Sequence, residues 1–98
     1  MFNQHMDLAL QEARAAAARG ETPVGAVLAD AEGRVLAKDG NRVRELADPT
    51  AHAELLVLRA AARLLKSERL TGCGLWVTLE PCPMCAGAIS HARIAKLW

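Results

Sequence analysis

Residues Thr78 to Cys85 read TLEPCPMC and join two unlike patterns. Ahead of the cysteines, Leu75-Trp76-Val77-Thr78-Leu79 is a short apolar run of strand type. Beyond them, a helix is expected from about Pro83 to His91. A strand that feeds Cys-x-x-Cys at a helix tip suits two devices, a redox dithiol or half of a zinc site. With Cys82 near the N-cap and Pro83 early in the helix, both sulfurs are expected at the positive end of the helix dipole. That end favours thiolate, the form either device needs.

A second junction completes the pattern. Asp48 to Glu54 reads DPTAHAE and precedes a helix expected from about Pro49 to Leu65, with Asp48 as N-cap and Pro49 in the first helical position. On a regular helix His52 and Glu54 would point roughly 200° apart, so they cannot ligate one metal as in H-E-x-x-H. Leu56 occupies the place where that motif needs its second histidine. A histidine at the very start of the helix can instead face along the axis while the glutamate approaches from the side. His52, Cys82 and Cys85 then make three ligands. Cys73, on the far side of the third strand, should lie about 20 Å from Cys82 at ~3.3 Å per residue. His91 falls roughly 240° around its helix from Cys85. His5 belongs to the N-terminal lead-in and is expected in solvent. Three ligands and an open fourth position form the catalytic pattern of zinc, in which bound water is acidified. Glu54 is placed to take a proton from that water and to return it to a bound substrate.

The rest of the chain supplies a scaffold. Residues Asp7 to Arg19 are Ala-rich, with Leu10, Ala13 and Ala17 spaced along one helical face and Gly20 as the stop. Gly25–Ala29 is an apolar strand, Asp30–Gly33 has turn chemistry, and Arg34–Ala37 begins a returning strand. Ile94–Leu97 starts another strand. The order α-β-β-α-β-α-β fits a sheet between helix layers. With 98 residues, 52% of them apolar, the chain is one small globular domain. A net charge of +1 advertises no nucleic-acid partner by itself. No apolar run approaches a membrane span and the N-terminus has no signal-peptide core, so no membrane partner is expected. Three cysteines, two of them in C-x-x-C spacing, favour a reducing cytoplasm over a disulfide framework.

H-x-E followed by P-C-x-x-C is an established zinc-deaminase signature, and the match is one of pattern. More broadly, the sequence resembles the bacterial tRNA-specific adenosine deaminases of the cytidine-deaminase-like superfamily. The stretches that carry the resemblance are GETPVGAVLAD (Gly20–Asp30), GNR (Gly40–Arg42), DPTAHAE (Asp48–Glu54), Arg69-Leu70 and VTLEPCPMCAGAISHARI (Val77–Ile94). It implies a three-layer α/β/α sandwich, one zinc ion per subunit, a homodimer, and a tRNA anticodon loop whose wobble adenosine becomes inosine. Carried onto this chain, it implies His52, Cys82 and Cys85 as zinc ligands and Glu54 as the proton shuttle. Asn41 would hydrogen-bond the base; the Ala53 N–H, Pro23 and Val24 would line the pocket. Without the resemblance Asn41 reads equally as a turn residue. Family members continue for another fifty or so residues, so the expectation is a single deaminase domain over residues 1–98 that is incomplete at its C-terminus. Arg42 and Arg44 follow Asn41 and would set positive charge at the pocket mouth, or else are ordinary solvated charge. Arg59, Arg63, Lys66 and Arg69 read as a solubilising face, and Trp76 as core. Three other readings stay open: a deaminase of free guanine or cytosine, an inactive zinc-binding fragment, and a thioredoxin-like dithiol that leaves His52 and Glu54 without a role.

Overall fold

The run Gly25-Ala26-Val27-Leu28-Ala29 is apolar at every position, which suits a central strand covered on both faces. The computed structural model describes residues 2–98 and places that run at the centre. The elements are α1 (Phe2–Ala18), β1 (Gly25–Ala29), β2 (Val35–Gly40), α2 (Ala53–Leu65), β3 (Gly74–Val77), α3 (Pro83–His91) and β4 (Lys96–Leu97). One sheet has the order β2-β1-β3-β4, with β1 antiparallel to both neighbours and β3 parallel to β4. Side chains alternate between the sheet faces with a period of two. Ala26, Leu28, Leu75 and Val77 therefore pack with Leu55, Leu58 and Ile89 from α2 and α3. Val27, Ala29 and Trp76 turn the other way, onto Ala9 of α1. The result is the expected three-layer α/β/α arrangement, with Trp76 in the core. Among the described residues no helix is long and apolar enough to cross a membrane.

The face of α1 differs from the expected one. His5, Ala9, Ala13 and Ala16 are buried, while Leu10 is 39% exposed and Ala17 faces solvent. Close approach of backbone explains the choice. A Cβ on Gly25 would stand 1.9 Å from the Ala9 carbonyl oxygen, and one on Gly40 would stand 2.6 Å from that of Glu12. Only small helix residues fit against strands packed so closely. The helix also starts earlier than expected, at Phe2, and so enfolds His5. The His5 ring lies 4.3 Å from Trp76 between centroids, and its Nε2 donates to the Gly33 carbonyl at 2.9 Å. Gly20 ends the helix as expected: at φ +83 it lets Glu21 N–H reach Ala16 O and Gly20 N–H reach Ala17 O.

This packing yields a paired prediction. Gly25→Ala is expected to destabilise the fold by about 3 kcal/mol or more, because neither backbone can give way cheaply. Gly87→Ala, in α3 with nothing within 4 Å of its added Cβ, is expected to stabilise by about 0.5–1 kcal/mol. Urea unfolding of both variants checks the pair; equal midpoints would contradict the close approach.

Other boundaries also moved, among them the start of the last strand, at Lys96 rather than Ile94. The third strand ends at Val77 rather than Leu79, because Thr78 turns its hydroxyl to accept the Gly25 N–H at 3.0 Å. Helix α2 begins at Ala53, not Pro49. Asp48 does not cap it: its Oδ1 accepts both the N–H of Thr50 at 2.8 Å and its hydroxyl at 2.7 Å, closing a separate turn. The N-cap is His52, in extended conformation at φ −75, ψ 149.

Candidate metal centre and pocket

Two helix tips on the same face of the sheet build the site. His52 precedes α2 and Cys82 precedes α3, each as an extended N-cap residue without a side-chain cap bond. Because His52 stands outside the helical period, its ring can point where Cys82 and Cys85 point. Cys82 Sγ lies 3.7 Å and Cys85 Sγ 3.5 Å from His52 Nδ1. Ligands at about 2.3 Å (sulfur) and 2.0–2.1 Å (nitrogen) from a tetrahedral zinc stand about 3.5–3.8 Å apart, so both sulfurs already stand at zinc spacing from the imidazole nitrogen. Among the described residues this is the one group of three or more His, Cys, Asp or Glu side chains that could hold a metal ion. Cys73 lies instead in the core, and His91 is exposed.

The two sulfurs are not equivalent. The backbone N–H of Cys85, assisted by that of Met84, holds the Cys82 thiol below its ordinary value despite its partial burial. Burial pushes the Cys85 thiol up to about 12, and the negative charge of Glu54 adds to the shift. The helix tip therefore favours thiolate at Cys82 alone, not at both cysteines as expected. A buried sulfur beside a carboxylate ionises only with a cation to compensate it, which is what a divalent metal provides.

A cavity of about 600 Å³ opens beside these atoms. Glu54, only 4% exposed, lines it together with His52 and Cys82 yet lies outside the ligand group. Asn41 and Val24 line it as well. Pro23 is exposed and outside the lining, and Ala53 is fully buried. The Ala53 N–H donates to Asn41 Oδ1 at 2.8 Å, so the asparagine supplies the cap that α2 lacks locally. That bond also fixes the amide orientation and leaves Asn41 Nδ2 as a donor. Arg42 is no free charge at the mouth: its guanidinium is bound to Asp39 at 2.8 Å and Glu45 at 2.7 Å. Arg44 does line the cavity. The sequence reading passed over Glu21, which is 7% exposed and lines it too. A glutamate just after a helix-ending glycine carries no periodic signal of burial.

An α/β/α sandwich that brings one histidine and two cysteines to a single point, with an unligated carboxylate beside them, defines a zinc-dependent deaminase domain. The chain belongs to the family described as the cytidine and deoxycytidylate deaminase zinc-binding region, which matches residues 2–98. It is 60% identical over 93 residues to a tRNA-specific adenosine deaminase of Agrobacterium fabrum, covering 95% of this chain and 60% of that protein. The chain thus spans about three fifths of the length of that curated relative. One solved structure, from studies of A-to-I editing by tRNA:A34 deaminases at the wobble position of transfer RNA, superposes with a TM-score of 0.94 at 59% identity. That match covers 97% of this chain and 72% of the other. A guanine deaminase from Bacillus subtilis superposes at 0.92 with 36% identity, covering 97% of this chain and 60% of the other.

Proposed function

We propose that residues 1–98 are a single zinc-dependent domain for hydrolytic deamination of adenosine to inosine at the wobble position of a tRNA anticodon. The observation that carries this reading is the meeting of His52, Cys82 and Cys85 at ligand distance beside a cavity that Glu54 lines. His52 Nδ1 and the two sulfurs would hold the zinc, which when bound supplies a Lewis acid that makes water easier to deprotonate. Glu54 takes the proton of the attacking water and delivers it to the purine ring nitrogen N1. A C6–O bond forms, Glu54 carries the remaining proton of that oxygen to the exocyclic amine, and the exocyclic C6–N bond breaks, so ammonia departs and C6 keeps a carbonyl. Asn41 Nδ2 donates to an acceptor on the edge of the base, Val24 offers an apolar wall, and Arg44 stands at the cavity for a neighbouring phosphate. The partner is a tRNA anticodon loop, by likeness to relatives named for tRNA adenosine. The homodimer and the cytoplasmic location rest on the same family resemblance.

A second reading has one observation in its favour, the 0.92 superposition on a guanine deaminase. The lower identity of that neighbour, 36% against 59%, favours the tRNA reading. Zinc-loaded chain incubated with an anticodon stem–loop bearing A34, and separately with free guanine and cytosine, distinguishes the two. Inosine in the stem–loop and no ammonia from the bases is expected. Ammonia from guanine without inosine would overturn the proposal. Bound zinc with neither product would make the chain an inactive zinc-binding fragment.

A further inference from the structure

Four polar side chains are buried among the described residues: His5, Glu21, Asn41 and Glu54. His5 packs on Trp76, Asn41 caps α2, and Glu54 handles protons in the proposed reaction, which leaves Glu21 without a task. A carboxylate withdrawn from water is costly unless its oxygens are occupied. Those of Glu21 are: Oε1 accepts the backbone N–H of Arg44 at 3.1 Å and Oε2 that of Glu45 at 2.8 Å. Both donors belong to one helical turn, closed by Leu46 N–H to Arg42 O at 2.9 Å, whose first N–H groups have no partner within the turn. Val43 and Arg44 of that turn line the cavity, as does Glu21. Arg19 supports the same corner, with Nη2 donating to the Asn41 carbonyl at 3.1 Å and Nε lying 3.6 Å from Glu45.

We infer that Glu21 is a positioning residue: its carboxylate fastens the turn at 42–47 that forms one wall of the pocket, and so sets how well the substrate base is held. The inference rests on the proposed function for its substrate, but the fastening itself is independent of it. Two oxygens on two consecutive amides fix both the position and the rotation of the turn, which one acceptor cannot do. Burial, which pushes the Glu21 carboxyl up, is outweighed by these two N–H groups and by the charges of Arg19 and Arg44, so the group is held below its ordinary range and remains an acceptor on both oxygens.

Glu21→Gln keeps the shape and turns one acceptor into a donor that faces an N–H. The expected result is a KM for the anticodon stem–loop raised roughly tenfold, with kcat within about twofold of wild type and zinc content unchanged. Hydrogen exchange at the Arg44 and Glu45 amides is expected to be slow in wild type and fast in this variant. Glu21→Asp, which keeps both oxygens on a shorter stem, should fall between the two on both measurements. A lower Tm with KM and kcat unchanged would show a merely structural role, and a lower kcat at unchanged KM would place Glu21 in the chemistry; either overturns the inference. Rapid exchange of both amides in wild type would show that the fastening does not exist. If wild type makes no inosine, the functional reading fails, and the exchange measurement still decides the role of Glu21.

Discussion

Glu54→Gln is expected to lower kcat for inosine formation by roughly 10²–10⁴-fold while the chain keeps its zinc. The carboxylate sits at the cavity beside the ligand group without belonging to it, so its removal takes away the proposed proton carrier and spares the metal. His52 and Glu54 are separated by one residue, yet they meet at one point because only Glu54 obeys the helical period. The extended conformation of His52 turns its ring back toward the cysteines. The substitution also removes a negative charge that disfavours the Cys85 thiolate, so zinc affinity has no reason to fall. Single-turnover kinetics with metal analysis on the same samples checks this. A variant within threefold of the wild-type rate would remove Glu54 from the mechanism, and a variant without zinc would make it a ligand.

Zinc is expected to have the second large effect, on stability. The ligands join the start of α2 to the start of α3, so an ion held by all three binds the folded chain far better than the unfolded one. At free zinc about a thousandfold above Kd, the stabilisation is about 4 kcal/mol. For a domain of this size each kcal/mol moves Tm by about 4–8 °C, so chelation should lower Tm by roughly 15–30 °C. The sign of the pH dependence follows from Cys85. Its thiol, pushed up to about 12, is protonated at neutral pH and must release that proton when zinc binds. Affinity therefore rises with pH through neutrality, and the gain in Tm at fixed zinc shrinks as pH falls. Circular-dichroism melts with and without chelator at two pH values measure both effects. A change below about 2 °C, or a gain that grows on acidification, would contradict them.

Much of this could be read from sequence wherever the signal was local. Gly25–Ala29 announced a strand by its unbroken apolar run, and Cys82-Pro83 marked a helix tip by cap chemistry. His52, Glu54, Cys82 and Cys85 were legible because their spacing is itself the pattern. What escaped depends on partners distant in the chain. The buried face of α1 is chosen by glycines on β1 and β2, which is why Ala9 and Ala16 are buried and Leu10 is not. His5 is enclosed by Gly33 and Trp76. The start of α2 was misplaced because Asp48 closes its own turn, and the cap comes from Asn41, twelve residues before Ala53. Glu21 holds Arg44 across 23 positions. Arg42 reads as free charge until Asp39 and Glu45 are seen to hold it.

In the proposed centre two helix tips hold one zinc through three protein atoms and leave its fourth position to solvent beside Glu54. X-ray absorption at the zinc edge on the loaded chain tests it directly. One zinc per chain is expected, with two sulfurs at about 2.3 Å and two lighter ligands at about 2.0–2.1 Å, one of which exchanges with added anions. Three sulfurs, or a fourth ligand from the protein that does not exchange, would contradict it.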